Sequence, residues 1–185
     1  MDVKGKKVAI LATNGFEQSE LEVPQNRLKQ AGIQVDVVSP EKGEIRGWDQ
    51  KDWGRAVKVD RSLDDARADD YDAIVLPGGQ INPDLLRVNP KALAFIRAFY
   101  DQKKVVAAVC HAPWLLAETG ILKGRRATSY TSIKTDVINA GAHWEDSAVV
   151  TDQGIITSRN PGDLEAFSKK IMEEMAEGPH TQRQS

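Results

Sequence analysis

The chain of 185 residues contains one cysteine. An intramolecular disulfide is therefore impossible, and a cysteine-rich zinc site is excluded. Its three histidines, His111, His143 and His180, show no metal-ligand spacing, so neither a metal nor another cofactor is expected. No apolar run approaches the ~20 residues needed to cross a bilayer. The opening stretch, MDVKGKKVAILAT, lacks the long apolar region and small-residue cleavage site of a secretory signal. A cytoplasmic protein with no membrane partner is the expectation. Lys and Arg together number 25 against 27 for Asp and Glu, a net charge of −2. With no block of basic residues, no nucleic-acid footprint is visible. Repeats and low-complexity tracts are absent. We expect one domain over residues 1–176, then a polar, frayed tail over 177–185.

What is present is an alternation of short apolar runs with helical periodicities. Lys7 to Ala12 reads as a buried parallel strand ending at the turn Thr13-Asn14-Gly15. Glu17 to Ala31 is helical, with Leu21, Leu28 and Ala31 at helical spacing and Gly32 as a stop. Ile33 to Ser39 is a second strand, completing a βαβ unit. Pro40 to Arg61 reads as a loop or hairpin excursion with a short strand at Ala56 to Val59. Its two tryptophans, Trp48 and Trp53, are either interface anchors or a cover for the sheet edge. Strands follow at Tyr71 to Leu76 and Val105 to Val109, and helices at Pro90 to Asp101 and Ala112 to Glu118. Ala127 to Tyr130 reads as a short strand and Ile133 to Ala140 as a helix. Trp144 to Thr151 and Ile155 to Ser158 read as strands joined by the turn Asp152-Gln153-Gly154. Asp163 to Ala176 is the last helix. The pattern predicts an α/β sandwich around a mostly parallel sheet, with ligands beyond the carboxyl ends of the strands.

Three chemically suggestive segments fall at such ends: Gly15-Phe16-Glu17, Pro77-Gly78-Gly79 and Cys110-His111. A lone cysteine is most often an inert, buried small residue, so its setting must argue for more. Here it stands between an apolar strand and a helix, with Ala108 and Ala112 two residues to either side. Serine hydrolases place small residues at these positions of a sharp strand-to-helix turn. A cysteine at a helix N-terminus is expected to ionise more easily, and the thiolate is the reactive form. His111 is adjacent, and Asp84 or Glu17 is a candidate acid to orient it. Paired glycines at Gly78-Gly79 allow close backbone approach and present bare amides. Beside a thiolate, the Glu17 carboxyl would have a raised pKa and donate a hydrogen bond while protonated.

These stretches, together with Glu20-Leu21, Ala112-Pro113, Thr128-Ser129-Tyr130, Ile138-Asn139-Ala140-Gly141-Ala142, Ser158-Arg159 and Asp163-Leu164, resemble the PfpI family of the ThiJ/PfpI superfamily. The likeness runs in order from Lys7 to about Met175. It implies a flavodoxin-like three-layer sandwich related to class I glutamine amidotransferases. It implies Cys110 as nucleophile, Glu17 as the protonated acid bonded to its sulfur, and His111 as general base or acid. The amides of Gly79 and His111 would form an oxyanion site. An acid from a neighbouring subunit beside the histidine would correspond to Asp84, one methylene shorter than the family's Glu, so a homodimer or larger homo-oligomer is implied. The family usually has glycine at the position of Ala112, whose methyl is expected to narrow the cleft.

For activity, the resemblance implies a stress-response, cysteine-dependent enzyme acting on reactive carbonyls, as a cofactor-free glyoxalase or a deglycase of proteins or nucleotides. An intracellular cysteine peptidase is one alternative, and a non-enzymatic redox sensor or holdase another.

Overall fold

The computed structural model describes residues 2–184. In chain order the strands are β1 (Lys7–Leu11), β2 (Phe16–Glu17), β3 (Gln34–Ser39), β4 (Glu44–Asp49), β5 (Asp52–Lys58), β6 (Arg61–Ser62), β7 (Ala73–Leu76), β8 (Val105–Val109), β9 (Arg126–Ala127), β10 (His143–Trp144), β11 (Val150–Asp152) and β12 (Ile155–Ser158). The helices are α1 (Gln18–Gln30), α2 (Ile81–Leu86), α3 (Pro90–Asp101), α4 (Pro113–Glu118), α5 (Lys134–Asn139) and α6 (Leu164–Glu177). The main sheet has seven strands in the order β11-β12-β8-β7-β1-β3-β6. All its pairings are parallel except β11 with β12.

Its central strands are apolar on both faces because helices cover both. Along β1, Val8 and Ile10 face the core that includes Leu21 and Leu28 of α1 and Phe167 and Ile171 of α6. Ala9 and Leu11 face the opposite core, with Phe95, Ile96 and Phe99 of α3, Leu115 and Leu116 of α4 and Val137 of α5. The period-two alternation of a strand thus feeds two helical layers. This is the flavodoxin-like three-layer sandwich expected.

The excursion after Pro40 is a hairpin, β4 with β5, and β5 is longer than the predicted Ala56–Val59 strand. With β2 it makes a separate three-stranded sheet. Trp48 therefore joins a cleft wall instead of covering the edge of the main sheet. The segment predicted as one strand from Trp144 to Thr151 divides into β10, paired with β9, and β11, paired with β12. Between them Glu145 and Asp146 turn outward to Arg126 and Arg159. The β11–β12 turn is the one predicted: Gln153 and Gly154 have φ of 50° and 80°, as a two-residue hairpin requires.

The tail departs from expectation. Arg183 is 3% exposed and donates to the carbonyls of Tyr100, Lys104 and Gln153. Lys103 Nζ and Tyr100 Oη donate to the carbonyls of Arg183 and Gln184. His180 lies 3.1 Å from Glu174. The polar side chains of the tail, the basis for expecting fraying, instead satisfy backbone carbonyls of the domain.

Candidate active site

Cys110 directly follows β8, and its φ is +65°. A left-handed conformation costs an L-residue about 1 kcal/mol or more. The backbone is held there from two sides: Cys110 N–H donates to Ser158 O at 3.0 Å, and Cys110 O accepts from Tyr130 N–H at 2.8 Å. The result is the sharp strand-to-helix turn that Ala108 and Ala112 suggest. Ala112, however, is fully buried in the core beneath α4, so its methyl does not narrow the cleft. Moreover, α4 is only six residues long and begins at Pro113, three positions beyond the sulfur. Backbone amides take the place of the helix dipole: the N–H groups of Gly79 and His111 both pull the thiol pKa down.

The acid beside the sulfur is Glu20, not Glu17. Glu20 sits one turn into α1, fully buried. Its Oε1 accepts from Gly78 N–H at 2.9 Å, Oε2 is buried with no hydrogen-bond partner, and Cys110 lies close enough to the carboxyl to pull its pKa down. Glu17, one residue ahead of α1, is half-buried, and its Oε1 accepts from Gln50 N–H at 3.2 Å. The physical reason is helical geometry: Glu20 lies beside the buried stripe of Leu21, Pro24 and Leu28, whereas residue 17 precedes the first turn. A carboxylate next to an apolar stripe was the sequence signal for Glu20.

Gly78 and Gly79 make this approach possible. A Cβ on Gly78 would lie 2.6 Å from Glu20 Oε1, 2.7 Å from Val109 O and 2.9 Å from Cys110 Cβ. Gly79 has φ +82°, and a Cβ there would lie 2.7 Å from Gly15 O.

Burial pushes the Glu20 carboxyl up to about 8, against hydrogen bonds from Cys110, Gly78 and Gly79 that pull it down. Burial also pushes the Cys110 thiol up, and a charged Glu20 pushes it further; the Gly79 and His111 amides oppose both. The free thiol is thus not lowered by its position as the sequence suggests. The repulsion depends on Glu20 being charged, and burial keeps that carboxyl neutral to about pH 8. A thiolate is best accommodated beside the neutral acid.

His111 is 4% exposed, not a surface residue. Its Nδ1 is 3.2 Å from Cys110 Sγ and its Nε2 is 3.3 Å from Ser132 Oγ. The ring stacks on Tyr130 at 4.7 Å and meets the edge of Trp114 at 5.2 Å. Burial lowers its pKa, which favours the neutral imidazole. Asp84 lies exposed on α2 and makes no hydrogen bond to His111 within this chain; the partner within reach is Ser132, which sequence reasoning missed. These groups open onto a cleft of about 540 Å³, also lined by Glu17, Trp48, Gln50, Ile81 and Tyr130.

A doubly wound sheet with a strained cysteine elbow at a strand end, a buried carboxylic acid and a histidine on one sulfur define a cysteine-dependent enzyme of the flavodoxin-like class. The chain belongs to the DJ-1/PfpI family, whose model matches residues 6–174. It is 43% identical to deglycase PfpI of Pyrococcus furiosus over 166 residues, covering 90% of this chain and 97% of that one. It is likewise 43% identical to the putative cysteine protease YraA of Bacillus subtilis, over 90% of this chain and 96% of that one. Among solved structures, a two-domain protein of Anabaena variabilis with DJ-1/ThiJ/PfpI-like and ferritin-like domains superposes with a TM-score of 0.87 at 38% identity. That match covers 97% of this chain and 52% of the Anabaena protein. No helix among the described residues is long and apolar enough to cross a membrane.

Proposed function

We propose that the protein is a cytoplasmic, cofactor-free enzyme that removes reactive 2-oxoaldehydes, free or as early adducts on other molecules, during carbonyl stress. The observation that carries this is the convergence of Cys110, Glu20 and His111 at the floor of a cleft of about 540 Å³. Cys110 thiolate adds to the aldehyde carbon, and the oxygen takes a proton to give a hemithioacetal. The bare amides of Gly79 and His111 suit the developing oxyanion. His111, kept neutral by burial, removes the proton from the former aldehyde carbon and returns it to the adjacent carbon through an enediol. The resulting thioester is hydrolysed by water, releasing a 2-hydroxy acid and the thiol. Water is the only other reactant, so no redox cofactor is required.

The contacts described support catalytic roles for Cys110, His111, Glu20 and the two amides, with Glu17 as a cleft wall. Asp84 is on the exposed face of α2 with Ile81 and Leu85, which are 37% and 49% exposed, and Val88 just past the helix is 78% exposed. This supports a homo-oligomer in which Asp84 reaches the His111 of a second copy. Unchanged activity and an unchanged His111 titration in Asp84→Ala would remove that role.

The test of function is kinetics on free methylglyoxal and on a preformed adduct, each with and without an aldehyde trap. Consumption of free methylglyoxal is expected. A residual rate on the adduct under trapping establishes direct deglycation, and its absence leaves a glyoxalase. Failure to consume either substrate contradicts the proposal.

A further inference from the structure

The small sheet beside the elbow brings two unused side chains together. Glu17 of β2 and Trp48 of β4 are register partners in a parallel pairing, so their side chains stand side by side on one face, on strands about 4.8 Å apart. Both line the cleft. One residue, Gln50 at the hairpin turn with φ +58°, holds both: its N–H donates to Glu17 Oε1 at 3.2 Å, and its carbonyl accepts from Trp48 Nε1 at 3.2 Å. Trp53 packs its ring against Trp48 at 5.4 Å and 78°. The carboxylate and the indole are thus fixed before any ligand arrives, and neither is needed at the sulfur.

The charge lining the cleft has one sign, with Arg46, over the Trp53 ring at 5.8 Å, outside that lining. Among the described residues the cleft lining includes Glu17 and Glu20 but no Lys or Arg. Glu20 is taken up by Gly78 and the sulfur. Glu17 forms no ion pair with a described residue, and Asp49 adds to the negative field around it. A half-buried carboxylate beside a fixed aromatic face is the pair of features that attracts ammonium and guanidinium groups. A phosphate in the same place would meet repulsion with nothing to neutralise it.

We infer that the cleft selects carbonyl substrates carrying a positive charge beyond the reacting aldehyde, held between the Glu17 carboxylate and the Trp48 ring. This rests on the carbonyl reading above. It places adducts of basic side chains ahead of adducts of phosphate-bearing molecules.

The test uses three aryl 2-oxoaldehydes of matched shape: phenylglyoxal substituted at the para position with trimethylammonium, tert-butyl or carboxylate. The expected kcat/KM is roughly tenfold higher for the cation than for its neutral isostere, and lowest for the anion. In Glu17→Gln the cation-to-neutral ratio falls to the ratio the two aldehydes show with a small free thiol, and Trp48→Leu, a second variant should the first not fold, lowers it in the same direction. Equal rates on cation and neutral isostere, or a ratio that survives in both folded variants, overturn the inference. If the protein consumes no 2-oxoaldehyde, the carbonyl reading itself fails. The charge preference is then read separately, from tryptophan quenching by benzyltrimethylammonium against benzoate: tighter cation binding lost in Glu17→Gln supports the site, and equal binding overturns it.

Discussion

Glu20 and Cys110 converge over Gly78, whose α-carbon has room for no side chain: a Cβ there would lie 2.6 Å from Glu20 Oε1 and 2.9 Å from Cys110 Cβ. The nucleophile and its acid are brought together by the absence of a methyl group. Gly78→Ala should therefore disrupt the pair. We expect a destabilisation of about 1–3 kcal/mol from overpacking, seen as a lower melting temperature. Loss of turnover should exceed the loss of folded protein.

Glu20 makes stability depend on pH. Burial raises its folded pKa to about 8 from an ordinary 4.5. Between those values the folded protein binds the proton more tightly than the unfolded chain does. Stability from this group is complete below pH 4.5 and is lost as pH rises through about 8. The melting temperature of the wild type should fall relative to that of Glu20→Gln as pH is raised from 5 to 8.5. Parallel pH curves would contradict the assignment.

Ser132 holds His111 from the far side of the ring, at 3.3 Å from Nε2. Ser132→Ala should lower kcat several-fold with little change in KM, because a hydrogen bond is worth about 1 kcal/mol. It should also shift the histidine limb of the pH–rate profile, a readout that a packing role alone would leave in place.

The docked tail is a stability element. Truncation after Glu177 removes Arg183 and leaves the carbonyls of Tyr100, Lys104 and Gln153 without its donors. The Tyr100 carbonyl is buried and the other two are partly so; a buried acceptor left unmet costs about 1–3 kcal/mol, and the packing of Arg183 is lost with it. Chemical denaturation should show a loss of at least ~2 kcal/mol.

The layer order and the position of the elbow were legible because they depend on runs and periodicities. Val105 to Val109 can only be a buried strand, and a cysteine between it and Pro113 must sit at the turn. The resemblance implied Glu17 as the acid at the sulfur and Glu20 was not considered for that place; in the fold the buried carboxyl beside Cys110 is that of Glu20, next to the buried stripe of Leu21. The thiol's electrostatics also escaped sequence reasoning. The short helix after Cys110 was predicted much as found; what escaped was that burial, with Glu20 packed beside it, raises the thiol pKa. Ser132 is 21 positions from His111, and nothing local in either segment links them. The tail was misread because polarity was taken as exposure, when Arg183 is a buried donor.

The most direct measurement is proton NMR of methylglyoxal incubated with the wild type, Cys110→Ser and Glu20→Gln. A wild type that forms the 2-hydroxy acid, with Cys110→Ser slowed on the order of 10³-fold or more to near the buffer rate, is the predicted result, with Glu20→Gln retaining measurable turnover. A folded Cys110→Ser protein that converts methylglyoxal at the wild-type rate would contradict the account.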